Sequence, residues 1–150
     1  MAKIQVFKND GNPWVKAKPD PATGTSTDMS RVRHPGGEDE LQLFDVRTGP
    51  NRQAEVHTHE QDEIIYVVAG QMIFGQHTLN PGDSVYIPGM TLYSFKAGPE
   101  GLQFINFRPR KDITYFNKDQ FMQLRKMEPE ARAKYREELI RKRREYVGWD

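Results

Sequence analysis

The stretch His57-Thr58-His59-Glu60-Gln61-Asp62-Glu63-Ile64-Ile65-Tyr66-Val67-Val68-Ala69-Gly70 decides how this chain is read. Two histidines one residue apart place both imidazoles on one face of a strand, because β side chains alternate with period two. Glu63 follows, and an apolar run then leads to Gly70, the pattern of a strand ending in a turn. Two imidazoles and one carboxylate converging from adjacent strands make a first-row metal site with open coordination positions. The stretch points to chemistry at a bound metal.

Outward from it the texture stays short-stranded. Strands are expected near Leu41–Thr48, Gln53–His59, Glu63–Ala69, Gln71–Gly75, Ser84–Pro88, Leu92–Lys96 and Gln103–Pro109. Turn chemistry separates them at Gly49-Pro50-Asn51, Ala69-Gly70, Asn80-Pro81-Gly82-Asp83, Pro88-Gly89 and Gly98-Pro99-Glu100-Gly101. Such spacing argues for an antiparallel sandwich or barrel. Before it, Lys3–Phe7 reads as an edge strand. Residues 9–40, with Asn-Pro, Lys-Pro, Asp-Pro, His-Pro and Gly-Gly steps, read as a long loop, either a lid or a mobile segment. After Asp112 the pattern turns helical. Asn117 and Gln120 form a capping box, with Phe121 and Leu124 on the inner face. Glu128-Pro129-Glu130 starts a second helix carrying Tyr135, Leu139 and Tyr146 as one apolar stripe.

Composition bounds the rest. The chain has 150 residues, 36% hydrophobic and 29% charged, enough for one domain with a real core. No cysteine is present, so disulfides and thiolate ligands are excluded. Net charge is +1, yet from Arg108 onward there are 13 Lys/Arg against 8 Asp/Glu. Glutamates are mixed into that basic end, so a solvated helix face is expected, and no nucleic-acid partner. The N-terminal residues lack a signal-peptide core, and no apolar run would span a bilayer. A soluble cytoplasmic protein with no membrane partner is the expectation.

The motifs resemble those of the cupin superfamily. Its first motif runs Gly, five residues, His-x-His, three or four residues, Glu, six residues, Gly. His57, His59, Glu63 and Gly70 match it, with Asn51 at the leading glycine position. Its second motif begins at Gly82 and reaches Pro88. The following glycine comes one place early, as Gly89, leaving Met90 in its usual position. Tyr93 stands where a third histidine is usual, and Ala97 where an asparagine is. The resemblance covers roughly residues 51–97. It implies an all-β double-stranded β-helix, a jelly-roll-like barrel, with C-terminal helices as an addition. The whole chain is then one domain: barrel core about 41–109, N-terminal strand and loop 1–40, helical extension about 113–147.

His57, His59 and Glu63 are the expected ligands of a divalent transition metal, iron being the most economical and manganese, nickel and zinc the alternatives. Tyr93 has three roles open to it: a phenolate ligand, an acid or base beside the metal, or a wall residue with water in the vacated position. Gln53 shares the face of His57 and is a candidate to position substrate, as is Glu55 unless it is solvated at the strand end. Phe95 is expected as an apolar wall. Phe104, Asn106 and Arg108 share one face, read as polar and outer in preference to a carboxylate-binding inner one. His77 and His34 are expected at the surface, and Trp14 and Trp149 as packing anchors.

The expected function is a metal-dependent enzyme acting on an organic small molecule, in first place an Fe(II)-type dioxygenase. One alternative is a redox-neutral lyase, decarboxylase or isomerase in which Tyr93 transfers a proton. The other is a non-catalytic small-molecule sensor. Exposed sheet faces and edges predict a homodimer.

Overall fold

A computed structural model describes residues 3–17 and 28–147. In chain order the elements are β1 (Val15–Lys16), β2 (Met29–His34), β3 (Gln42–Thr48), β4 (His57–Thr58), β5 (Glu63–Phe74), β6 (His77–Leu79), β7 (Ser84–Ile87), β8 (Lys96–Arg108), β9 (Phe116–Asn117), α1 (Lys118–Lys126) and α2 (Pro129–Val147). The main sheet runs β1-β2-β3-β8-β5-β6, with β7 also on β5, and β4 and β9 form a second, two-stranded ladder. Every pairing is antiparallel. This is the double-stranded β-helix expected from the sequence, with its helices at the C-terminal end.

Alternation sorts the long strands into two faces. Glu63, Ile65 and Val67 of β5 and Leu102, Phe104, Asn106 and Arg108 of β8 are buried. Ile64, Tyr66, Val68 and Phe107 between them are exposed. The core therefore lies inside the barrel, where Ile65, Val67, Met72, Ile87, Tyr93, Ala97, Leu102 and Phe104 pack together. A second cluster of Phe116, Phe121, Leu124 and Leu139 docks the helices beneath β9. The capping box forms as expected, Asn117 accepting from the Gln120 backbone and Gln120 from that of Asn117.

Several strand expectations are corrected. Gln53–His59 shrinks to the two residues of β4, joined to the opposite segment by isolated bridges at Gln53–Lys96 and His57–Tyr93. Leu92–Lys96 is no strand of its own. The two strands expected over 63–75 are one, β5, and the turn expected at 98–101 lies inside β8. The reason is local. Gly70 (φ 72°) lies opposite Leu102, beside Gly101 (φ 86°), and the ladder bulges there without stopping. A Cβ on Gly70 would run into the carbonyl of Gly101, so the close approach of the strands needs glycine. β6 was not foreseen. Lys3–Phe7 forms no strand. The 9–40 loop contains β1 and β2, and residues 18–27 lie outside the described part. Asp45 on β3 anchors β2 through Arg31 at 2.7 Å and Arg33 at 3.4 Å. Trp14 packs beneath Arg31 and Arg47, its ring centre 4.4 and 4.3 Å from them. Trp149 lies outside the described residues.

Candidate active site

A cavity of about 650 Å³ opens into the barrel, a size suited to an organic small molecule. His57, His59, Tyr93, Gln53, Glu55, Phe95, Phe104, Asn106 and Arg108 all line it. The sequence phase thus brought Gln53, Glu55, His57 and His59 to one wall. The preference for a polar outer face at Asn106 and Arg108 was wrong. Both point inward, because the register that pairs Ile65 with Asn106 sets Glu63 opposite Arg108 two residues on.

The two histidines are fixed by their backbone surroundings. His57 Nδ1 lies 2.7 Å from the Glu55 carbonyl, and His59 Nδ1 bonds the Thr114 carbonyl. A carbonyl only accepts, so each Nδ1 carries the proton and each Nε2 keeps its lone pair. Burial holds both imidazoles below their ordinary pKa, His59 well below, with the Arg108 charge adding to the effect. Both rings are therefore neutral near pH 7. Their centres lie 5.0 Å apart.

Tyr93 faces His57 across an antiparallel bridge, each backbone N–H donating to the other's carbonyl at 3.0 Å. The bridge sets phenol and imidazole side by side, ring centres 4.5 Å apart. The Tyr93 hydroxyl donates to Glu63 Oε1. Glu63 Oε2 accepts from Asn106 Nδ2 at 2.8 Å and from Arg108 at 3.3 Å. Burial, and then the Glu63 charge, push the Tyr93 phenol well above its ordinary pKa, so it holds its proton. Arg108 also donates to the Asp112 carbonyl at 2.6 Å and lies 3.8 Å from the Asp112 carboxylate.

These contacts test the expected metal centre. The three side chains of the expected triad are not gathered into one group here, Glu63 being turned toward Tyr93, Asn106 and Arg108. Tyr93 donates as a phenol here. Among the described residues no three His, Cys, Asp or Glu side chains come together as a metal-holding group. What does fit is a pair of neutral imidazoles with open Nε2 atoms, each ring oriented by a carbonyl on its Nδ1 as metal-binding histidines are.

Gln53 sits at the rim. Its amide nitrogen donates to the Ala54 carbonyl, Ser94 Oγ and the Phe95 carbonyl, holding the segment opposite. Glu55 accepts from the Tyr115 hydroxyl at 2.8 Å. His77 is exposed. His34 bonds the Leu41 carbonyl and packs on Phe7, away from the cavity.

Sequence reasoning missed the segment 112–115 and the end of α2. Asp112 bonds both the backbone and the hydroxyl of Thr114, and so sets the carbonyl that receives His59. Tyr115 stacks on His57 at 4.6 Å and 12°. Arg143 and Tyr146 close the rim from α2. The available signals were the Asp-x-Thr turn and the three-residue spacing of Arg143 and Tyr146 on one helix face.

Residues 44–105 match the family model described as "Cupin domain". The barrel is a cupin domain. Among curated proteins no relative matches the chain. Solved cupin-like structures do. KdgF from Halomonas sp. is 24% identical with a TM-score of 0.58, over 72% of this chain and 96% of that one. The polyketide cyclase RemF from Streptomyces resistomycificus is 22% identical with a TM-score of 0.57, over 90% and 99%. A cupin-2 domain from Rhodospirillum rubrum is 17% identical with a TM-score of 0.59, over 91% and 95%. At these identities the likeness is one of fold. Met90, at the usual glycine position of the second cupin motif, adopts φ 58°, and Asn51, at that of the first, φ 60°. Both residues thus adopt the left-handed conformation that favours glycine. No helix among the described residues is long and apolar enough to cross a membrane.

Proposed function

We propose that this cupin is a metal-dependent enzyme that moves a proton on an organic small molecule without net oxidation, in the manner of a lyase, decarboxylase or isomerase. The observation that carries the reading is the Tyr93–Glu63 hydrogen bond at the cavity wall. His57 and His59 are the residues that would hold a divalent metal, which when bound supplies a Lewis acid for a substrate oxygen. Everything else falls to side chains of the chain itself. A substrate proton passes to Tyr93 Oη while the proton of Tyr93 passes to Glu63 Oε1, so that Glu63 is the base and the phenol its relay. The reverse sequence returns the proton. Asn106 and Arg108 fix Glu63 Oε2 and keep the carboxylate aimed at the phenol. Phe44, Phe95 and Phe104 line the cavity and exclude water. This reading is supported over the dioxygenase one by the orientation of Glu63, which is turned toward Tyr93, Asn106 and Arg108 and not gathered with the two histidines into one centre.

The test pairs metal analysis with an oxygen electrode. One divalent metal per chain is expected, lost in His57→Ala and His59→Ala and kept in Tyr93→Phe, with turnover of enolisable acids and ketones consuming no O2. Stoichiometric O2 uptake, or metal uptake indifferent to both histidines, would overturn the proposal.

A homodimer is proposed as well. Register sets exposed Ile64 beside Phe107 on one side and Tyr86 on the other, with exposed Tyr66 and Val68 further along β5. A second copy of the same face would cover this apolar row.

A further inference from the structure

Among the described residues, two of the three arginines lining the cavity are ion-paired. Arg108 is met by Glu63 and Asp112, and Arg52 lies 3.6 Å from Asp28. Glu55 takes the Tyr115 hydroxyl. Arg143, on α2, also lines the cavity, and among the described residues it forms no ion pair; the carboxylate whose charge acts on it is Asp28, which is already engaged by Thr48 and Arg52. Its guanidinium is held by phenol rings instead, 4.2 Å from the centre of Tyr115 and 4.9 Å from that of Tyr146. Contact through ring faces leaves the in-plane N–H fork free, and that fork is the part of arginine that matches a carboxylate.

The position is also fixed relative to the reacting groups. Tyr115 stacks on His57 at 4.6 Å, so imidazole, phenol and guanidinium follow one another in two short steps. Arg143 and His57 line one cavity, whose walls include Phe44, Phe95, Phe104, Tyr115 and Tyr146. Flat apolar walls with a rim cation that, among the described residues, is outside any ion pair select a flat body with one negative end.

We propose that Arg143 anchors the substrate, and that the substrate is an organic anion: a carboxylate or phenolate on a planar body whose other end reaches His57 and Tyr93. This rests on the cavity being the substrate site, and it adds the chemical class. Burial, with the like charge of Arg108, lowers the Arg143 pKa from its ordinary value, against the opposing influence of Tyr115, Tyr146 and Asp28. Arginine remains charged under these conditions, and an incoming carboxylate supplies an ion-pair partner.

The test is isothermal calorimetry on the full chain with cinnamate and its neutral counterpart cinnamamide. Cinnamate is expected to bind at least tenfold more tightly, with an affinity that falls as salt is raised. Arg143→Gln should erase the difference by weakening cinnamate alone, and Arg143→Lys should restore only part of it. An unchanged melting temperature in both variants shows that α2 stays docked. Equal affinities in the wild type, a preference that persists in Arg143→Gln, or no binding of either probe would overturn the inference. Failure here is separable from failure of the proposed activity. If histidine-dependent metal uptake and O2-independent turnover persist without the anion preference, only the substrate class falls. An anion preference without metal uptake would leave the anchor and remove the enzyme.

Discussion

Removing one oxygen atom, in Tyr93→Phe, probes the arrangement most sharply. The Glu63 side chain is 1% exposed and that of Arg108 4%, so no solvent replaces a lost partner. Glu63 Oε1 accepts from Tyr93, and a hydrogen bond to a charged group contributes about 1.5–3 kcal/mol, so Tyr93→Phe should cost about 2–3 kcal/mol. For a chain of this length each kcal/mol moves the melting temperature by about 2–4 °C, which gives a fall of roughly 5–10 °C. Glu63→Gln removes the charge opposed to Arg108. Breaking a buried pair costs about 3–5 kcal/mol, and the lower end is expected because Asp112 still faces Arg108. The double variant counts the Tyr93–Glu63 hydrogen bond once, so the two losses should fall short of additivity by about 2 kcal/mol. Urea denaturation of the four chelator-treated proteins, with m held constant, reads all three quantities. A Tyr93→Phe protein within about 0.5 kcal/mol of wild type, or strict additivity, would refute the claim that the phenol donates to Glu63.

Three further outcomes are expected. In metal-free protein His57 and His59 have folded pKa values below the unfolded value near 6.5, so the unfolded chain takes up protons first as pH falls. Stability is therefore full above about pH 6.5 and declines below it, by up to about 1.4 kcal/mol per pH unit for each histidine, until the folded rings titrate; the slope should shrink in His57→Gln and His59→Gln. Met90→Gly should raise stability by about 0.5–1 kcal/mol in thermal melts, because a methionine at φ 58° carries a cost that glycine does not. Tyr86→Lys with Tyr66→Lys should shift the mass in light scattering from dimer to monomer, and a wild-type protein already monomeric at micromolar concentration would refute the dimer.

How much was legible depends on the range over which each feature is fixed. The period-two spacing of His57 and His59 and the cap at Asn117 are local, and both stand in the structure as read. The bends in β5 and β8 misled, since Gly70 and Gly98–Gly101 read as strand ends. They fall opposite one another, so the ladder bulges and continues, and only the cross-strand register reveals it. The burial of Asn106 and Arg108 is likewise decided by Glu63 on the neighbouring strand. β2 was taken for loop because Met-Ser-Arg-Val-Arg-His has no clean apolar alternation; it is half-buried throughout and held by ion pairs to Asp45. Arg143 lies 86 residues from His57, and a docked helix brings it to the cavity.

The optical spectrum of iron-loaded, oxidised protein, taken with its metal content, tests the central claim most directly. The account predicts iron held through His57 and His59 with no phenolate-to-iron charge-transfer band, because Tyr93 keeps its proton for Glu63. A broad visible band that disappears in Tyr93→Phe would make the phenol a ligand and contradict it.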